Sequence, residues 1–382
     1  MRLRVVLAVL VVAVAVAAAA LLMLGGRRET QPPTPPGATY PLTVVDSANR
    51  TVTIERRPQR VVAVGPGMLR LLVYLNASDL VVGVEQAEKQ WSPLGRDYAM
   101  ALGSEYFSPK PVIGPGGPDK PPAPELILKV QPDLVVMSYA LIGAYDPDRL
   151  QSEVGVPVVV VNYGTVGNVD VPGLKRALSL LGRVLGREER ARQLSEYIDG
   201  IVQDLNRRTA GLAARPSVYV GAVSFKGAQP FTSTQSPYPP LLLLNTPSVA
   251  DEAGKGKGFM SLDFEYLLKA QPEYVFIDEG NLQSVLQDFQ KSPEKYCALK
   301  AFREGRVYGV LPFNYYWTNV ATALANAYYM GSVLYPDRFK DIDPASKADE
   351  IFRAFLGKPI YKAFVDGGYP GFANLSNLFK CP

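Results

Sequence analysis

The sequence contains no histidine among its 382 residues and only two cysteines, Cys297 and Cys381. Without histidine the chain cannot form a Ser-His or Cys-His catalytic pair, and it has no imidazole ligand for a metal ion. The nucleophile motif Gly-x-Ser-x-Gly and the phosphate-binding motif Gly-x-x-x-x-Gly-Lys-Ser/Thr are also absent. We therefore predict that the protein is not an enzyme, carries no cofactor and binds no bare transition-metal ion.

Charge and cysteine usage narrow the class of protein further. The net charge is only +4, and no polybasic run accompanies it, so we predict no nucleic-acid partner. Two cysteines do not make a disulfide framework. They could pair, but Cys381 is the penultimate residue, and we expect it to be too mobile for a stable bond. The length allows two or three domains with a sizeable core.

The first 39 residues differ from the rest of the chain. Arg2 and Arg4 precede an unbroken apolar run from Val5 to Leu24, which is long enough to span a bilayer as a helix. A Pro-rich spacer at 31–38 follows, and no cysteine lies there to carry a lipid. A cleaved secretory signal is the alternative. We predict a membrane anchor with a stalk, and both interpretations place the remaining chain outside the cytoplasm.

Two stretches, Pro124 to Ser138 and Phe264 to Asp278, have nearly the same sequence. The offset of 140 residues (265 − 125) is too long for a solenoid repeat but suits two similar domains. In each copy the sequence predicts a short helix and a buried strand, with a Gln-Pro break and an acidic residue between them. The matched pairs are Glu125 with Glu265, Leu128 with Leu268, Lys129 with Lys269, Gln131 with Gln271 and Pro132 with Pro272.

Strand and helix patterns alternate along the rest of the chain, which is typical of a parallel sheet covered on both faces. The predicted strands are a hairpin at 42–45 and 51–54, and 61–64, 80–84, 134–137, 158–161, 218–223, 274–277 and 307–310. A long amphipathic helical stretch lies between the two halves, with a break expected at Gly186. We predict an α/β fold with two Rossmann-like lobes (40–170 and 213–382), central mostly parallel sheets and a long rigid connecting helix (171–212).

The chain resembles the iron-complex and cobalamin substrate-binding proteins of ABC importers. The resemblance rests on the opening segment from Tyr40 to Pro66, on the two repeats, on the segment from Pro230 to Ser233, and on their order around the central helix. It covers 40–312 and implies two lobes with a ligand cleft between them. The aromatic segment 314–319 lies beyond this core, and the resemblance implies no role for it.

In the resembling family a glutamate near the start of each repeat meets arginines on the permease, which implies permease docking by Glu125 and Glu265. The helix dipole alone would also favour a carboxylate at these positions. Ligands of such sheets bind at the carboxyl ends of strands, and Gly65-Pro-Gly67 is either a cleft wall or a plain turn. Our candidates for ligand contacts are the aromatic and lysine side chains of the expected cleft loops: Trp91, Tyr98, Tyr106, Tyr139, Tyr163, Lys226, Tyr238, Lys255, Lys257 and Phe259.

We therefore predict an extracytoplasmic, monomeric binding protein that captures a chelated metal and delivers it to an ABC permease and its ATPase subunit. A ferric siderophore-type complex is the first candidate ligand, a corrinoid such as cobalamin the second and an oxyanion such as molybdate the third. A membrane-tethered sensor on the same fold is the alternative from another class.

Overall fold

The computed structural model describes residues 38–381, and these belong to one compact unit. The predicted membrane anchor and all of the spacer before Ala38 lie outside the described residues. Within the described part of the chain, no helix is both long and apolar enough to cross a bilayer.

The first lobe is built on a parallel sheet of four strands in the order β4-β3-β5-β6, preceded by an antiparallel hairpin. Its strands are β1 (Leu42–Val45), β2 (Thr51–Ile54), β3 (Val61–Val64), β4 (Val81–Gly83), β5 (Leu134–Ser138) and β6 (Val158–Val161). Its helices are α1 (Met68–Tyr74), α2 (Gln86–Gln90), α3 (Asp97–Leu102), α4 (Ser104–Phe107), α5 (Pro124–Lys129) and α6 (Pro147–Val154).

The second lobe is built on a parallel sheet of three strands in the order β11-β10-β7, with a separate antiparallel pair, β8 and β9. Its strands are β7 (Val218–Gly221), β8 (Ser233–Ser236), β9 (Gly258–Ser261), β10 (Tyr274–Asp278) and β11 (Val307–Val310). Two helices, α7 (Val171–Leu185) and α8 (Glu188–Thr209), separate the lobes. The helices after them are α9 (Pro239–Leu243), α10 (Ala250–Gly254), α11 (Phe264–Ala270), α12 (Leu282–Lys291), α13 (Pro293–Cys297), α14 (Lys300–Arg303), α15 (Val320–Leu334), α16 (Pro336–Phe339), α17 (Pro344–Leu356) and α18 (Tyr361–Asp366).

The strand sequences explain why the sheets are parallel and central. β3 (VVAV) and β6 (VVVV) are apolar throughout, and every residue of both is buried. Strands covered on both faces have no need of a polar side, so they lose the alternation of a half-exposed strand. The predicted α/β fold with parallel sheets is confirmed.

The sequence repeat is also a structural repeat. β5 and β10 begin 140 residues apart, and Gln131 and Gln271 both have a left-handed backbone where the preceding helix ends. Asp133 accepts hydrogen bonds from the backbone N–H groups of Gln59 and Arg60, directly before β3. Glu273 accepts one from Ser217, directly before β7. The acidic residue of each copy therefore holds the entry to the neighbouring strand.

The connecting stretch 171–212 forms two helices, α7 and α8. Gly186 has a left-handed backbone (φ 63°) and ends α7, so the expected break is confirmed. Lys175 forms an ion pair with Asp199, and Gly182 packs against Ala191, so the two helices run antiparallel as a hairpin. The rigid connection between the lobes is therefore α8 alone, whose 22 residues span about 33 Å.

One hydrophobic core contains residues of both lobes. It includes Val61 and Val159 from the first sheet and Val220 and Phe276 from the second, together with the apolar sides of α7, α8, α15 and α17. Each sheet has a smaller core on its other face. Because the main core is continuous, the lobes cannot separate without exposing apolar surface to water.

The C-terminal segment is held against the outer edge of the second sheet, contrary to the mobility that we expected of it. The Gly309 N–H donates to the Ala373 carbonyl (3.0 Å), and the Leu375 N–H donates to the Val307 carbonyl (2.7 Å). This strand-like pairing with β11 brings Cys381 to Cys297, and the two form a disulfide. The expectation of unpaired cysteines was wrong because it ignored this backbone pairing.

Candidate functional site

The carboxyl ends of the strands in both sheets lead into loops that touch one another. The Gln235 side-chain amide donates to the Gly167 carbonyl (3.0 Å), and the Trp317 indole N–H donates to the Gly164 carbonyl (3.2 Å). Gly164 and Gly167 follow β6 in the first lobe, while in the second lobe Trp317 follows β11 and Gln235 lies in β8. The region between these loops, which we call the interlobe cleft, is the place where ligands bind in open α/β sheets.

Three of the predicted ligand contacts are core residues. Tyr98, Tyr163 and Tyr238 are at most 2% exposed. The Tyr98 hydroxyl donates to the buried Glu88 carboxylate (2.8 Å), and the Tyr238 ring packs on Phe313. The hydroxyls of Tyr98 and Tyr163 are engaged by buried side chains, Glu88 and Arg70, and none of the three rings is open to a ligand in this structure.

Tyr106 lies at the opposite end of the first lobe. Its hydroxyl donates to the Ser78 carbonyl (2.8 Å) in the turn before β4, which is the amino end of that strand. Since the cleft loops follow the carboxyl ends of the strands, Tyr106 is separated from the cleft by the length of the sheet.

Four predicted contacts follow the carboxyl ends of strands or adjoin the loops there. Tyr139 comes directly after β5 and is 43% exposed. Lys226 is exposed in the loop after β7, with its ammonium 5.6 Å from the ring centre of Phe225. Phe259 stacks on the same Phe225 ring (4.1 Å between centroids) and lies against Gly167 of the first lobe. Trp91, the fourth, packs beside Tyr315.

Lys255 and Lys257 are exposed in the loop before β9. The glycines that follow them, Gly256 and Gly258, line a cavity of about 280 Å³. Its other walls come from both lobes, including Asn168, Asp170 and Leu242. The two lysines thus border a cavity between the lobes, although none of their contacts indicates which ligand they would bind.

An ion pair that the sequence analysis missed lies beneath the cleft. Arg70 and Asp97 have fully buried side chains and meet at 2.9 Å. Arg70 also donates to the Tyr163 hydroxyl and, across the lobes, to the Asn319 side-chain oxygen (2.8 Å). The available signal was the composition of α1, MLRLLVY, in which Arg70 is the one charged residue.

Glu85 makes a second buried link between the lobes. Its carboxylate accepts hydrogen bonds from the Gly65 N–H (2.9 Å) and from the Tyr316 hydroxyl of the second lobe. Burial raises the pKa of Glu85 to about 7, although both hydrogen bonds act in the opposite direction. The Gly65 N–H thus positions the Glu85 carboxylate, which in turn contacts the second lobe.

Two adjacent acids end the central strand of the second lobe. Burial raises the pKa of Asp278 to about 6 and that of Glu279 to about 8. Asp278 accepts backbone hydrogen bonds from Ser224 and Gly280, and Glu279 accepts one from Gly371. Asp278 thus holds the loop after β7 in place, and Glu279 holds the backbone of the C-terminal segment. Within residues 38–381 no cluster of three or more His, Cys, Asp or Glu side chains could hold a metal ion.

Glu125 and Glu265 occupy the matched positions that the repeat predicts. Each lies in the first turn of its helix, α5 or α11, and each is exposed. Neither carboxylate makes a hydrogen bond or an ion pair with any residue in the described range. Both are therefore free to meet charges on another molecule.

Comparison with known proteins identifies the family. A family model described as periplasmic binding protein matches residues 61–312, about two thirds of the chain. An uncharacterised ABC transporter substrate-binding lipoprotein of Bacillus subtilis, YvrC, is 20% identical over 310 residues, covering 79% of this chain and 88% of its own. The molybdate-binding protein MolA of Haemophilus influenzae is 23% identical over 337 residues, covering 82% and 90%.

Solved structures show the same fold. The TroA-like periplasmic binding protein FepB of Veillonella parvula superimposes with a TM-score of 0.65 at 20% identity, covering 83% of this chain and 97% of its own. Molybdate-bound MolA gives a TM-score of 0.64 at 20% identity, covering 83% and 98%. At these identities the likeness is one of fold and does not extend to the ligand.

We expect replacement of Glu85 to change how stability depends on pH. A carboxyl whose pKa rises from 4.5 to about 7 on folding favours the native state only while protonated. Its contribution is therefore full below about pH 4.5 and is lost as the pH approaches 7. The Glu85→Gln variant, which mimics the neutral acid, should gain stability relative to the wild type across this range, by about 3 kcal/mol in total.

Urea denaturation at a series of pH values measures this difference. Glu105→Gln, at an exposed carboxylate of the same lobe, is the control and should follow the wild type. A Glu85→Gln difference that stays constant from pH 4.5 to 7.5 would contradict the assignment.

Proposed function

The chain belongs to the periplasmic binding protein family, and we propose that it captures a chelated metal in the interlobe cleft. A ferric siderophore-type complex is the first candidate. The family consists of non-enzymatic transport components, and the chain is a substrate-binding protein of an ABC transporter. It delivers its ligand outside the cytoplasm to the permease, whose ATPase subunit supplies the energy.

The observation that carries the choice of ligand is the chemistry of the cleft. The chain has no histidine, and both of its cysteines are bonded to each other. The cleft instead offers partly exposed rings, such as Trp91 and Phe259, and the exposed Lys226, whose ammonium lies over the Phe225 ring that stacks on Phe259. Rings make flat apolar contacts, and an ammonium suits an anionic complex. Such groups bind the organic shell of a chelate and leave the metal to its own ligands.

Two other ligands and one other role remain as alternatives. MolA is named as a molybdate-binding protein, which favours an oxyanion as the alternative to a chelate. A corrinoid would use the same aromatic surface. A membrane-tethered sensor would use the same cleft to signal, and genes for signalling proteins in place of permease and ATPase genes beside this one would favour it.

The first prediction from the proposed function concerns the form of the ligand. The protein should bind a metal only as a chelate, because it lacks the side chains that bind the bare ion. Isothermal titration calorimetry with zinc, manganese, a ferric siderophore complex, cyanocobalamin and molybdate tests this. Submicromolar binding of zinc or manganese, with no binding of either chelate, would refute the proposal. Submicromolar molybdate binding alone would establish the oxyanion alternative.

The second prediction concerns docking. We propose that Glu125 and Glu265 each meet an arginine of the permease, so that the two lobes engage it together. Such pairs mainly set orientation and encounter rate and weaken with salt. The double variant Glu125→Lys/Glu265→Lys should lose binding to the permease complex in lipid nanodiscs while keeping its affinity for ligand. Each single variant should be milder.

The matched control is Glu105→Lys/Glu294→Lys. It makes the same change of charge at two other exposed glutamates, one in the first helical turn of α4 and one in that of α13. Docking that is normal in the Glu125/Glu265 variant, or equally weakened in the control, would exclude a specific role. Loss of ligand affinity in the folded variant would assign these carboxylates to the ligand site.

The third prediction concerns the N-terminus. We propose that the apolar run from Val5 to Leu24 stays in the protein as a membrane anchor, since it is long for a cleavable signal. YvrC is named a lipoprotein, but this chain has no cysteine before Cys297 that could carry a lipid. Mass spectrometry of the protein from native membranes should find this segment retained. A mature terminus between Gly25 and Tyr40 would show a cleaved signal instead.

A further inference from the structure

The loop from Phe313 to Asn319, between β11 and α15, has an unusual backbone. Tyr316 and Trp317 are adjacent and both have positive φ angles, 51° and 80°. The left-handed region is unfavourable for bulky side chains, and two such residues in succession need strong support from their surroundings. Strained segments of this kind concentrate at functional sites. The loop is also the segment to which the sequence resemblance gives no role.

The support comes from the other lobe. Arg70 donates to the carbonyls of Tyr315 (3.0 Å) and Tyr316 (3.1 Å). The Gly117 N–H donates to the Tyr316 hydroxyl (3.0 Å), which in turn meets the buried Glu85. A second-lobe loop is thus held by a buried guanidinium, a buried carboxyl and a backbone amide of the first lobe. Its conformation is fixed before any ligand arrives.

Three aromatic rings at this loop remain partly exposed. Tyr315 and Trp317 belong to the loop itself, and Trp91 of the first lobe lies beside it. The Trp91 and Tyr315 rings are nearly parallel, 17° apart with centroids 6.1 Å from each other. The Trp91 and Tyr316 rings meet edge to face, with centroids 5.1 Å apart. These contacts restrain the orientation of the rings. A partly exposed, immobilised pair of flat rings is a surface that a flat ring of a ligand can cover.

We propose that this aromatic loop, together with Trp91, selects chelates that carry planar rings, such as catecholates, over wholly aliphatic chelates. The inference rests on the proposed function, namely that the cleft binds a metal chelate. A surface already rigid loses little conformational entropy on binding, so its stacking contacts count fully toward affinity. An aliphatic hydroxamate chelate has no flat face to place on these rings, and an oxyanion is too small to cover them.

The test compares two ferric probes by calorimetry: an iron(III) tris-catecholate and a linear aliphatic iron(III) trihydroxamate, with molybdate as a third ligand. The wild type should bind the tris-catecholate at least tenfold more tightly than the trihydroxamate. Tyr315→Leu keeps the backbone carbonyl that Arg70 holds and removes only the ring. It should weaken tris-catecholate binding roughly tenfold and leave trihydroxamate binding unchanged.

Tyr274→Leu is the matched control, because Tyr274 is a partly exposed, stacked tyrosine of the same lobe at the amino end of β10, away from the cleft. It should bind both probes as the wild type does. Thermal unfolding of both variants checks that they are folded.

The chain's own tryptophans provide a second readout. Trp91 and Trp317 are its only two, so emission excited at wavelengths that tyrosine does not absorb reports on this site. A gallium(III) tris-catecholate, which lacks the strong visible absorption of the ferric complex, should shift the emission maximum. Trp91→Phe and Trp317→Phe should each reduce the shift, and the gallium trihydroxamate should produce none.

The outcomes separate the inference from the proposed function. If both ferric chelates bind equally and Tyr315→Leu affects neither or both alike, the protein is a chelate-binding protein without this selectivity, and the inference alone is overturned. If neither chelate binds and molybdate does, the proposed ligand class itself is wrong and the inference falls with it.

Discussion

The buried guanidinium of Arg70 is the constraint on which the interlobe region depends. A charge without exposure to water must be fully paired, since removing one partner of a buried pair costs about 3–5 kcal/mol. Here the partners are the Asp97 carboxylate of the same lobe and carbonyl groups of the Tyr315–Tyr316 segment of the other. The second lobe therefore cannot move away from the first without leaving this charge unsatisfied. The strained loop keeps its shape for the same reason.

The shared core adds a second limit on lobe movement. Both sheets contribute to it, and α8 packs along it with Leu194, Ile198 and Ile201 buried. A hinge would have to open this core, whereas small changes in the loops at the carboxyl ends of the strands would not. We therefore expect ligand capture to use side chains and loops that are already close to their bound positions. The affinity then depends on how well the ligand matches a fixed surface more than on closure around it.

Much of the fold could be predicted because its signals are local. Strands such as β3 and β6 are uninterrupted apolar runs, and the repeat at Glu125 and Glu265 marks the two lobes. The site was less accessible, because a tyrosine in a polar-looking loop has the same sequence signature whether it is buried or exposed. Tyr98 and Tyr238 were for this reason counted as ligand contacts, although their neighbours in space bury them. The role of Arg70 was not predicted, because its hydrogen-bond partners lie up to 249 positions away in the sequence.

The internal repeat bears on both surfaces that we propose for this protein, one for the permease and one for the ligand. Its copies agree at two exposed positions of the helix, where both have Glu and Lys, and at the Gln-Pro break that follows it. They differ at the end of the strand, where Ser138 and Tyr139 align with Asp278 and Glu279. A partner that meets both lobes in the same way needs the same groups on each, which fits the docking proposed for Glu125 and Glu265. A ligand held between the lobes meets each from a different side and has no reason to find the same groups twice. Agreement at the exposed helix positions and difference at the strand ends are what we expect if one face meets the permease and the cleft meets the ligand.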